Sequence, residues 1–232
     1  MPSYKSEFKL VKKGFKDILV LVPGWAADYR IFSRLELNYD YLYPRHSYPA
    51  DFVNSLCAYL KNNSIQKVSL FGWSMGAFLA YDFSILNPEL VDALYLIGIR
   101  KRYDHSALKE VADNLRKNKR AFLYKFYQDC FSQSDQDSYL WFKRHLMHDY
   151  LNDITEETLI YGLDYLGTSQ LDPQNLKSIK KVKIYHGRQD KIAPFSELLK
   201  IKQDAPFAEF VVFPGLGHIP FISPSFQERF YG

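Results

Sequence analysis

The first hundred residues alternate short apolar runs with stretches in which apolar residues recur at helical spacing. Residues 18–22, ILVLV, are uninterrupted and apolar, which is typical of a parallel strand covered on both faces. The same reasoning predicts strands at 40–43, 67–71 and 93–97, and helices at 51–60 and 77–86. This alternation predicts an α/β fold, a mostly parallel central sheet with helices on both faces.

The alternation stops near residue 99 and returns near residue 181. Apolar runs at 182–186 and 210–213 predict two more strands, and residues 7–11 could supply one at the start. Residues between about 99 and 180 have helical patterns, including Asp153 and Glu156 at capping-box spacing before an apolar stripe. We therefore expect one domain over residues 1–232, with a core of about 1–98 and 181–232 and a helical lid of about 99–180.

The pentapeptide Gly72-Trp73-Ser74-Met75-Gly76 lies between a predicted strand and a predicted helix. A strand, a sharp turn and a helix are the context of a nucleophile elbow, in which small neighbours let a serine occupy a strained turn at the sheet edge. The five residues alone are a weak signal, but their position is specific. Ser74 is therefore predicted to be a nucleophile.

Two further polar residues each follow a predicted strand. Asp190 comes shortly before a helix that begins at a proline, and His218 lies in a glycine-containing loop after the last strand. The order Ser74, Asp190, His218 is the nucleophile, acid and base order of α/β-hydrolases, so we predict a catalytic triad. Taken singly, Asp190 could be a helix N-cap and His218 an ordinary loop histidine.

The residues Pro23-Gly24-Trp25 end the first buried strand. An acyl-transfer enzyme needs two backbone N–H groups aimed at the oxygen on which negative charge develops. One comes from the residue after the nucleophile and the other from this first loop, so Met75 and Trp25 are the candidates. A simple tight turn at Pro23-Gly24 is the alternative, and both interpretations can hold.

Composition excludes several classes of function. The chain has two cysteines, Cys57 and Cys130, too far apart in sequence for a zinc spacing, and His145 and His148 have no acidic or cysteine partner in register. No phosphate-binding glycine loop is present. The start lacks an apolar leader, and no apolar run is long enough to span a membrane. We expect a soluble cytoplasmic protein with no metal, no cofactor, no nucleic-acid partner and no membrane insertion.

The net charge of +4 is unevenly distributed. Residues 100–125 contain nine basic and three acidic side chains, whereas residues 126–170 contain two basic and eight acidic ones. A basic rim over a site would attract an acidic partner, and a solvated lid with internally paired charges is the alternative. The candidate residues for such a rim are Arg100, Lys101, Arg102, Arg116, Lys117, Lys119 and Arg120.

With these motifs the chain resembles the α/β-hydrolase family along nearly its whole length. Gly-Trp-Ser-x-Gly, Gly24-Trp25 and the segment 162–166, GLDYL, resemble one subgroup in particular, the pimeloyl-acyl carrier protein methyl ester esterases of biotin synthesis. The resemblance implies that Ser74 attacks the methyl ester of a carrier-bound dicarboxylate, that His218 relays the proton, and that Asp190 orients His218. Methanol and then the free acid would leave.

The same resemblance implies contacts with substrate and carrier. Trp25 and Trp73 would flank the ester, Phe126 would contact the acyl chain, and an acidic acyl carrier protein would be the partner. Two departures from the subgroup reshape the pocket mouth: Pro23 replaces a histidine, and residues 43–49, YPRHSYP, replace a glycine-rich loop. A thioesterase, a general short-chain carboxylesterase, a lyase and a non-catalytic binding protein on the same fold stay open as alternatives.

Overall fold

The apolar run at residues 18–22 forms a central strand of one mixed sheet. The computed structural model describes residues 7–45 and 51–231, and within them the sheet has seven strands. Their bounds are β1 Phe8–Val11, β2 Ile18–Val22, β3 Asp40–Pro44, β4 Val68–Trp73, β5 Val91–Ile97, β6 Val182–Gly187 and β7 Glu209–Phe213. The strands predicted from the sequence are all present within two residues of their predicted ends, so the predicted α/β fold is confirmed.

The strand order is β1-β3-β2-β4-β5-β6-β7. Strand β1 pairs with β3 in antiparallel fashion, and every other neighbouring pair is parallel. The carboxyl ends of β2, β4, β5, β6 and β7 therefore meet at one edge of the sheet. Binding and catalytic groups of open α/β sheets collect at that edge. The loop predicted to alter the pocket mouth follows β3, and its residues 46–49 lie outside the described residues.

Helices cover both faces of the sheet. Their bounds are α1 Phe52–Asn62, α2 Met75–Leu86, α3 His105–Lys117, α4 Lys119–Asp129, α5 Gln136–Phe142, α6 His148–Asp153, α7 Glu156–Thr168, α8 Phe195–Asp204 and α9 Pro224–Phe230. A turn of π-helix, Lys143–Met147, joins α5 to α6. Helices α3 to α7 come between β5 and β6, where the strand alternation lapses in the sequence. Within the described residues, none of these helices has the length and apolarity that crossing a membrane requires.

The start of α7 differs from the sequence prediction. The helix begins at Glu156 with Thr155 as its N-cap, whose hydroxyl accepts a hydrogen bond from the Thr158 amide at 3.2 Å. The predicted capping box of Asp153 and Glu156 is therefore wrong. Asp153 instead ends α6, and its carboxylate pairs with Arg30 at 3.3 Å. Because the chain needs Ile154 to turn between the two helices, the cap falls two residues later than predicted.

An aromatic cluster fixes the last helix on the sheet. Phe71 of β4 and Tyr185 of β6 both pack against Phe226 of α9, with ring centroids 5.9 and 5.0 Å apart. Phe221, from the turn before α9, closes the same cluster, 5.6 Å from Phe71. Large buried rings of this kind remove much apolar surface from water and hold the end of the chain beside the functional edge. The loop that carries His218 lies between β7 and this cluster.

Candidate active site

Ser74 occupies a strained turn directly after β4. Its backbone has φ 55° and ψ −116°, in the left-handed half of the map that residues with a side chain rarely adopt. The Ser74 amide donates a hydrogen bond of 2.8 Å to the carbonyl oxygen of Ile97, the last residue of β5. The strained turn is thereby fixed to the neighbouring strand, as the nucleophile-elbow prediction requires.

The two flanking glycines permit a very close approach of backbone segments. A Cβ atom on Gly76 would lie 2.2 Å from the carbonyl oxygen of Val22, and one on Gly72 would lie 2.4 Å from that of Gly76. Any side chain at either position would push α2 away from β2 and β4. The motif is therefore a packing requirement of this turn as well as a signature in the sequence.

His218 and Asp190 form a buried hydrogen-bonded pair. The Nδ1 atom of His218 lies 2.7 Å from Oδ2 of Asp190, and both side chains are inaccessible to water. The other carboxylate oxygen accepts the amides of Ile192 and Ala193, each at 2.8 Å. Helix α8 has Pro194 as its N-cap, so Asp190 is not the cap of that helix. One oxygen of Asp190 stabilises the turn after β6, and the other orients the imidazole.

The imidazole of His218 is held on several sides. Its backbone amide donates to the carbonyl oxygen of Cys130 at 2.7 Å, and its own carbonyl accepts the indole N–H of Trp73 at 2.9 Å. A Cβ atom on Gly98 would lie only 2.9 Å from the ring atoms Nδ1 and Cε1. His218 thus lies against the turn that follows β5, next to the Ile97 carbonyl that binds Ser74.

The serine hydroxyl and the histidine are neighbours without a direct hydrogen bond. Among the described residues, the buried Nε2 atom of His218 has no hydrogen-bond partner. Burial raises the pKa of Tyr103 to about 12, and the nearby Ser74 hydroxyl acts in the opposite direction. In enzymes that use such pairs, the bond between nucleophile and base is often long before substrate binds and shortens in the complex. Asp190 and His218 form a direct pair, and Ser74 is held by Ile97, the residue before the Gly98 that lies against the His218 ring. A bond between Ser74 and His218 stays a prediction.

The two predicted oxyanion donors border the same serine. Met75 is the first residue of α2, and the first amides of a helix have no partner within it. A Cβ atom on Gly24 would lie 3.1 Å from the Cβ atom of Ser74, so the loop that carries Trp25 touches the nucleophile. The amides of Trp25 and Met75 are therefore close to Ser74, and their use as donors stays a prediction.

Of the predicted substrate contacts, Trp25 and Phe126 lie together and Trp73 lies apart. The Phe126 ring packs edge-on against the Trp25 indole with centroids 5.0 Å apart, and the Trp25 indole N–H donates to the carbonyl oxygen of Leu159 at 2.8 Å. Trp73 is almost completely buried, with its ring 5.5 Å from the His218 ring. In this structure Trp73 supports the histidine loop, and a contact with an ester stays a prediction.

A cavity of about 190 Å³ adjoins residues 23–28, the loop after β2 that contains the predicted donor Trp25 and is called the oxyanion loop below. Its walls include Trp25 and Ala26 from that loop, Met75 from α2, and Ile154 and Leu159 from the inserted helices. Charged side chains also line the cavity, those of Asp28, Arg30, Arg45 and Asp153. The cavity next to Met75 therefore offers both apolar and charged surface, which suits an ester with a polar end.

Several of the seven basic residues of the predicted rim have partners within the fold. Lys101 pairs with Asp204, Arg116 lies 3.6 Å from Asp113, and Arg102 and Lys117 are exposed. Lys119 donates to the carbonyl oxygen of Ile154, the residue after α6, and Arg120 donates to the side-chain oxygen of Asn152 in α6. Arg100 is partly buried, with its guanidinium carbon 4.8 Å from the centre of the Tyr103 ring. Several of these charges are therefore paired within the fold, as the alternative interpretation expects.

Sequence reasoning missed two residues of the site, Tyr103 and His186. His186 is fully buried, its Nε2 donates to the Ala193 carbonyl oxygen at 2.8 Å, and the same atom lies 3.7 Å from Oδ2 of Asp190. Burial lowers the pKa of His186, so its ring is neutral. The hydrogen bond from its Nε2 to Ala193 stabilises the turn that contains Asp190. Its position at the carboxyl end of β6 was the available signal. Tyr103 lies in no motif.

The two remaining histidines of interest are far less constrained. His145 is exposed and packs on Trp141 with ring centroids 5.3 Å apart, and His148 bonds Asn152 at 3.1 Å. Within residues 7–45 and 51–231 no group of three or more His, Cys, Asp or Glu side chains could hold a metal ion. The described site consists of protein groups suited to nucleophilic and acid-base chemistry.

Comparison with known proteins agrees with this geometry. A family model described as alpha/beta hydrolase fold matches residues 32–224. The chain is similar to the pimeloyl-acyl carrier protein methyl ester esterase of Nitrosomonas europaea, at 29% identity over 71% of this chain and 68% of that protein. It is also similar to the Legionella pneumophila protein of the same name, at 27% identity over 88% and 89%. A solved bromoperoxidase from Bacillus anthracis superposes with a TM-score of 0.79 at 16% identity, over 97% and 93%, a likeness of fold alone.

Proposed function

Because the chain belongs to the α/β-hydrolase family, we propose that it is a serine esterase that hydrolyses a carboxylic ester. The observation that carries this proposal is the buried pair of His218 and Asp190, 2.7 Å apart, next to the strained turn of Ser74. The three groups come from the ends of β4, β6 and β7, the edge at which such folds do their chemistry.

The proposed reaction follows from the protonation of these groups. The unpartnered Nε2 of His218 accepts the Ser74 proton as the hydroxyl oxygen attacks the ester carbonyl, while Asp190 stabilises the imidazolium that forms. The amides of Trp25 and Met75 donate to the oxygen that becomes negative. His218 then returns its proton to the departing alcohol. A water molecule, deprotonated by His218, attacks the carbonyl carbon of the acyl-serine. The bond to the Ser74 oxygen then breaks, His218 returns the proton to that oxygen, and the acid is released.

The proposed substrate is the methyl ester of pimeloyl-acyl carrier protein. The names of the relatives from Nitrosomonas and Legionella support it, at identities that leave the substrate open. The apolar residues of the cavity, among them Trp25, Met75 and Leu159, suit an acyl chain. For the acidic carrier we propose the exposed part of the basic segment, at Arg102, Arg116, Lys117 and Arg120, where attraction would speed the encounter and salt would screen it.

We further propose that residues 99–180 act as a lid on a single domain. Helix α7 supports this arrangement because it packs directly over the oxyanion loop. A Cβ atom on Gly162 would lie 2.6 Å from Cδ1 of Trp25 and 3.3 Å from the sulfur of Met75. Movement of α7 would therefore change the surroundings of both proposed donors.

Covalent labelling tests the class of enzyme. A fluorophosphonate should label the wild-type protein and fail to label Ser74→Ala, whereas Ser55→Ala, on helix α1, should label normally. Absence of labelling in the wild type would favour a non-catalytic binding protein. Mass spectrometry of the products distinguishes hydrolysis from a lyase reaction, which could also label.

A substrate panel tests the proposed ester. We expect faster turnover of methyl pimeloyl-acyl carrier protein than of p-nitrophenyl esters or acyl thioesters, seen as loss of one methylene mass from the carrier-bound acid. Faster cleavage of thioesters would identify a thioesterase. Preference for small p-nitrophenyl esters would identify a general short-chain carboxylesterase.

A further inference from the structure

An arginine side chain without an acidic partner lies at the edge of the site. Arg100 is the third residue after β5, and its Nε atom is buried and has no hydrogen-bond partner among the described residues. Its Nη1 atom makes one long hydrogen bond, 3.5 Å, to the carbonyl oxygen of Ile192. Burying a charged donor without a partner is unfavourable, so a fold that keeps one beside its reactive edge has a use for it.

Two other arginines show that this situation is particular to Arg100. Arg30 pairs with three carboxylates, those of Asp28, Asp149 and Asp153. Arg188 lies over the Phe195 ring at 5.2 Å, an arrangement much like that of Arg100, but Arg188 is exposed and water can satisfy its N–H groups. Of the three, Arg100 combines a buried N–H group with the lack of a counter-ion.

The position of the Arg100 guanidinium is fixed by both neighbouring loops. Gly98, two residues earlier, touches the His218 ring, and Ile192 lies two residues after Asp190. The guanidinium carbon is 4.8 Å from the centre of the Tyr103 ring. Stacking on a ring orients the flat guanidinium and leaves the edge of its N–H fork available to a planar anion.

Tyr103 connects this guanidinium to the nucleophile. Its ring packs 6.2 Å from that of Phe78, one turn along α2 from Ser74. The Ser74 hydroxyl is near enough to the phenol to lower its pKa. Burial raises the pKa of Tyr103 to about 12, while Ser74 and the charge of Arg100 act in the opposite direction. The phenol is therefore a protonated, neutral donor at physiological pH. The positive charge of Arg100 therefore lies over the ring of Tyr103, a hydrogen-bond donor near Ser74.

The negative charge of Asp190 does not cancel the attraction of Arg100 for an incoming anion. Burial and, to a smaller extent, the charge of Asp190 raise the pKa of Tyr103. That carboxylate already accepts hydrogen bonds from His218, Ile192 and Ala193. Within residues 7–45 and 51–231 Arg100 has no carboxylate partner, so its charge is available to an incoming anion.

We propose that Arg100 and Tyr103 form a carboxylate-binding subsite beside Ser74. A carboxylate would accept two N–H groups of the guanidinium fork and the phenol O–H, a combination of charge and geometry suited to this planar anion. The proposal rests on the proposed function in naming the source of the carboxylate. It is either the acid that ester hydrolysis releases at Ser74 or a second, ionised carboxyl group of the substrate.

Direct binding tests the subsite without requiring turnover. Calorimetric titration of the full chain should show that butyrate and glutarate bind, and that the neutral analogue butyramide binds much more weakly. Arg100→Gln should weaken butyrate binding at least tenfold, Tyr103→Phe should weaken it less, and Arg100→Lys should fall between wild type and Arg100→Gln. Arg188→Gln, which removes the same charge from an exposed stacked arginine, should bind as wild type does.

These measurements separate failure of the subsite from failure of the esterase. Equal binding of butyrate and butyramide by wild type, or unchanged butyrate binding by a thermally intact Arg100→Gln, would overturn the subsite even if ester hydrolysis is found. Carboxylate binding lost in Arg100→Gln would support the subsite even if no ester is cleaved. If Arg100→Gln unfolds, Arg100→Lys and Tyr103→Phe supply the same comparison.

Kinetics distinguish the two sources of the carboxylate. If the subsite takes a carboxyl group of the substrate, kcat/KM for monomethyl glutarate should exceed that for dimethyl glutarate, and Arg100→Gln should remove the difference. If it takes the released acid, the two esters should be cleaved with similar kcat/KM, and butyrate should inhibit competitively in wild type only.

Discussion

At the scale of single residues, Asp190 performs two tasks with its two oxygens. Oδ1 accepts the amides of Ile192 and Ala193, and Oδ2 accepts Nδ1–H of His218. An asparagine could keep the first pair of bonds through its carbonyl oxygen. Its NH₂ group would then face Nδ1 of His218, which would have to become the acceptor and move its proton to Nε2. A histidine in that tautomer cannot accept the Ser74 proton.

We therefore predict that Asp190→Asn folds and loses activity. The expected fall in kcat for a p-nitrophenyl ester is on the order of 10,000-fold, with little change in melting temperature. Asp92→Asn, which removes an exposed carboxylate 3.8 Å from Lys67, is the matched control and should keep full activity. A loss of less than tenfold in Asp190→Asn would contradict the proposed role of the pair.

The residues at strand ends were predictable, and the contacts between their side chains were not. Ser74, Asp190 and His218 each follow an apolar run, so the topology alone brings them to one edge. Whether the Ser74 hydroxyl meets His218 or Tyr103 depends on side-chain rotamers and on the packing of the segment after β5. No pattern in the chain indicates which of these side chains the Ser74 hydroxyl meets, so the sequence did not predict a role for Tyr103.

At the scale of elements, the start of α7 decides how the inserted helices meet the oxyanion loop. The first turn of α7 carries the Leu159 carbonyl, which accepts the Trp25 indole N–H at 2.8 Å. The Thr155 cap fixes that turn by binding the Thr158 amide. Removal of the Thr155 cap should therefore lower the stability of α7 close to the predicted oxyanion donors.

Thr155→Ala should lower the free energy of unfolding by about 1 kcal/mol, the usual effect of removing a hydroxyl N-cap. Asp153→Ala should cost less, because it removes only an exposed ion pair with Arg30, and such pairs contribute about 0–1 kcal/mol. Urea unfolding followed by circular dichroism measures both. A larger loss for Asp153→Ala would restore the capping box suggested by the sequence.

The strand ends were predicted more accurately than the start of α7, for a physical reason. A strand buried on both faces must be apolar throughout, so its ends are marked by the first polar residues, as in β2. Two good capping residues, Asp153 and Thr155, stand near the start of α7. Choosing between them requires knowing how many residues turn the chain from α6 into α7, which is a property of tertiary packing.

At the scale of the whole molecule, the oxyanion loop is fastened to the inserted helices by several polar contacts. The Tyr127 hydroxyl of α4 donates to the Ala26 carbonyl oxygen at 2.7 Å, and the Tyr150 hydroxyl of α6 donates to the Asp28 carboxylate at 3.1 Å. Arg30 joins Asp28 to Asp149 and Asp153 of α6. The loop that carries Trp25 is therefore coupled to the inserted segment as well as to β2.

Arg30→Gln should loosen this coupling. Hydrogen–deuterium exchange should become several-fold faster in peptides that cover residues 26–32 and 148–153, since the three carboxylates lose their common partner. Arg34→Gln is the control, because Arg34 lies over Trp141 at 5.4 Å and carries the same charge. Exchange as slow as in wild type at both segments would show that the apolar contacts alone hold the loop.

The sequence predicted the sheet and the inserted helical segment, but not how charge is distributed over their surface. Nine basic residues within 26 positions indicate a basic rim only if they face the same way. The packing of the inserted helices pairs Lys101 with Asp204, ties Lys119 to Ile154, and turns Arg100 toward Tyr103. Asp204 lies 103 positions after Lys101, and Ile154 lies 35 positions after Lys119. A count of charges within one segment cannot identify partners at such separations.

The hydrogen bond between the His218 amide and the Cys130 carbonyl has a practical consequence. Cys130 ends α4 and is completely buried against the histidine loop, and burial raises the pKa of its thiol well above the ordinary value. Cys57, on the far helix α1, is partly exposed. A maleimide should therefore modify Cys57 first. The rate of the slower modification of Cys130 would report how often α4 separates from the loop that contains His218.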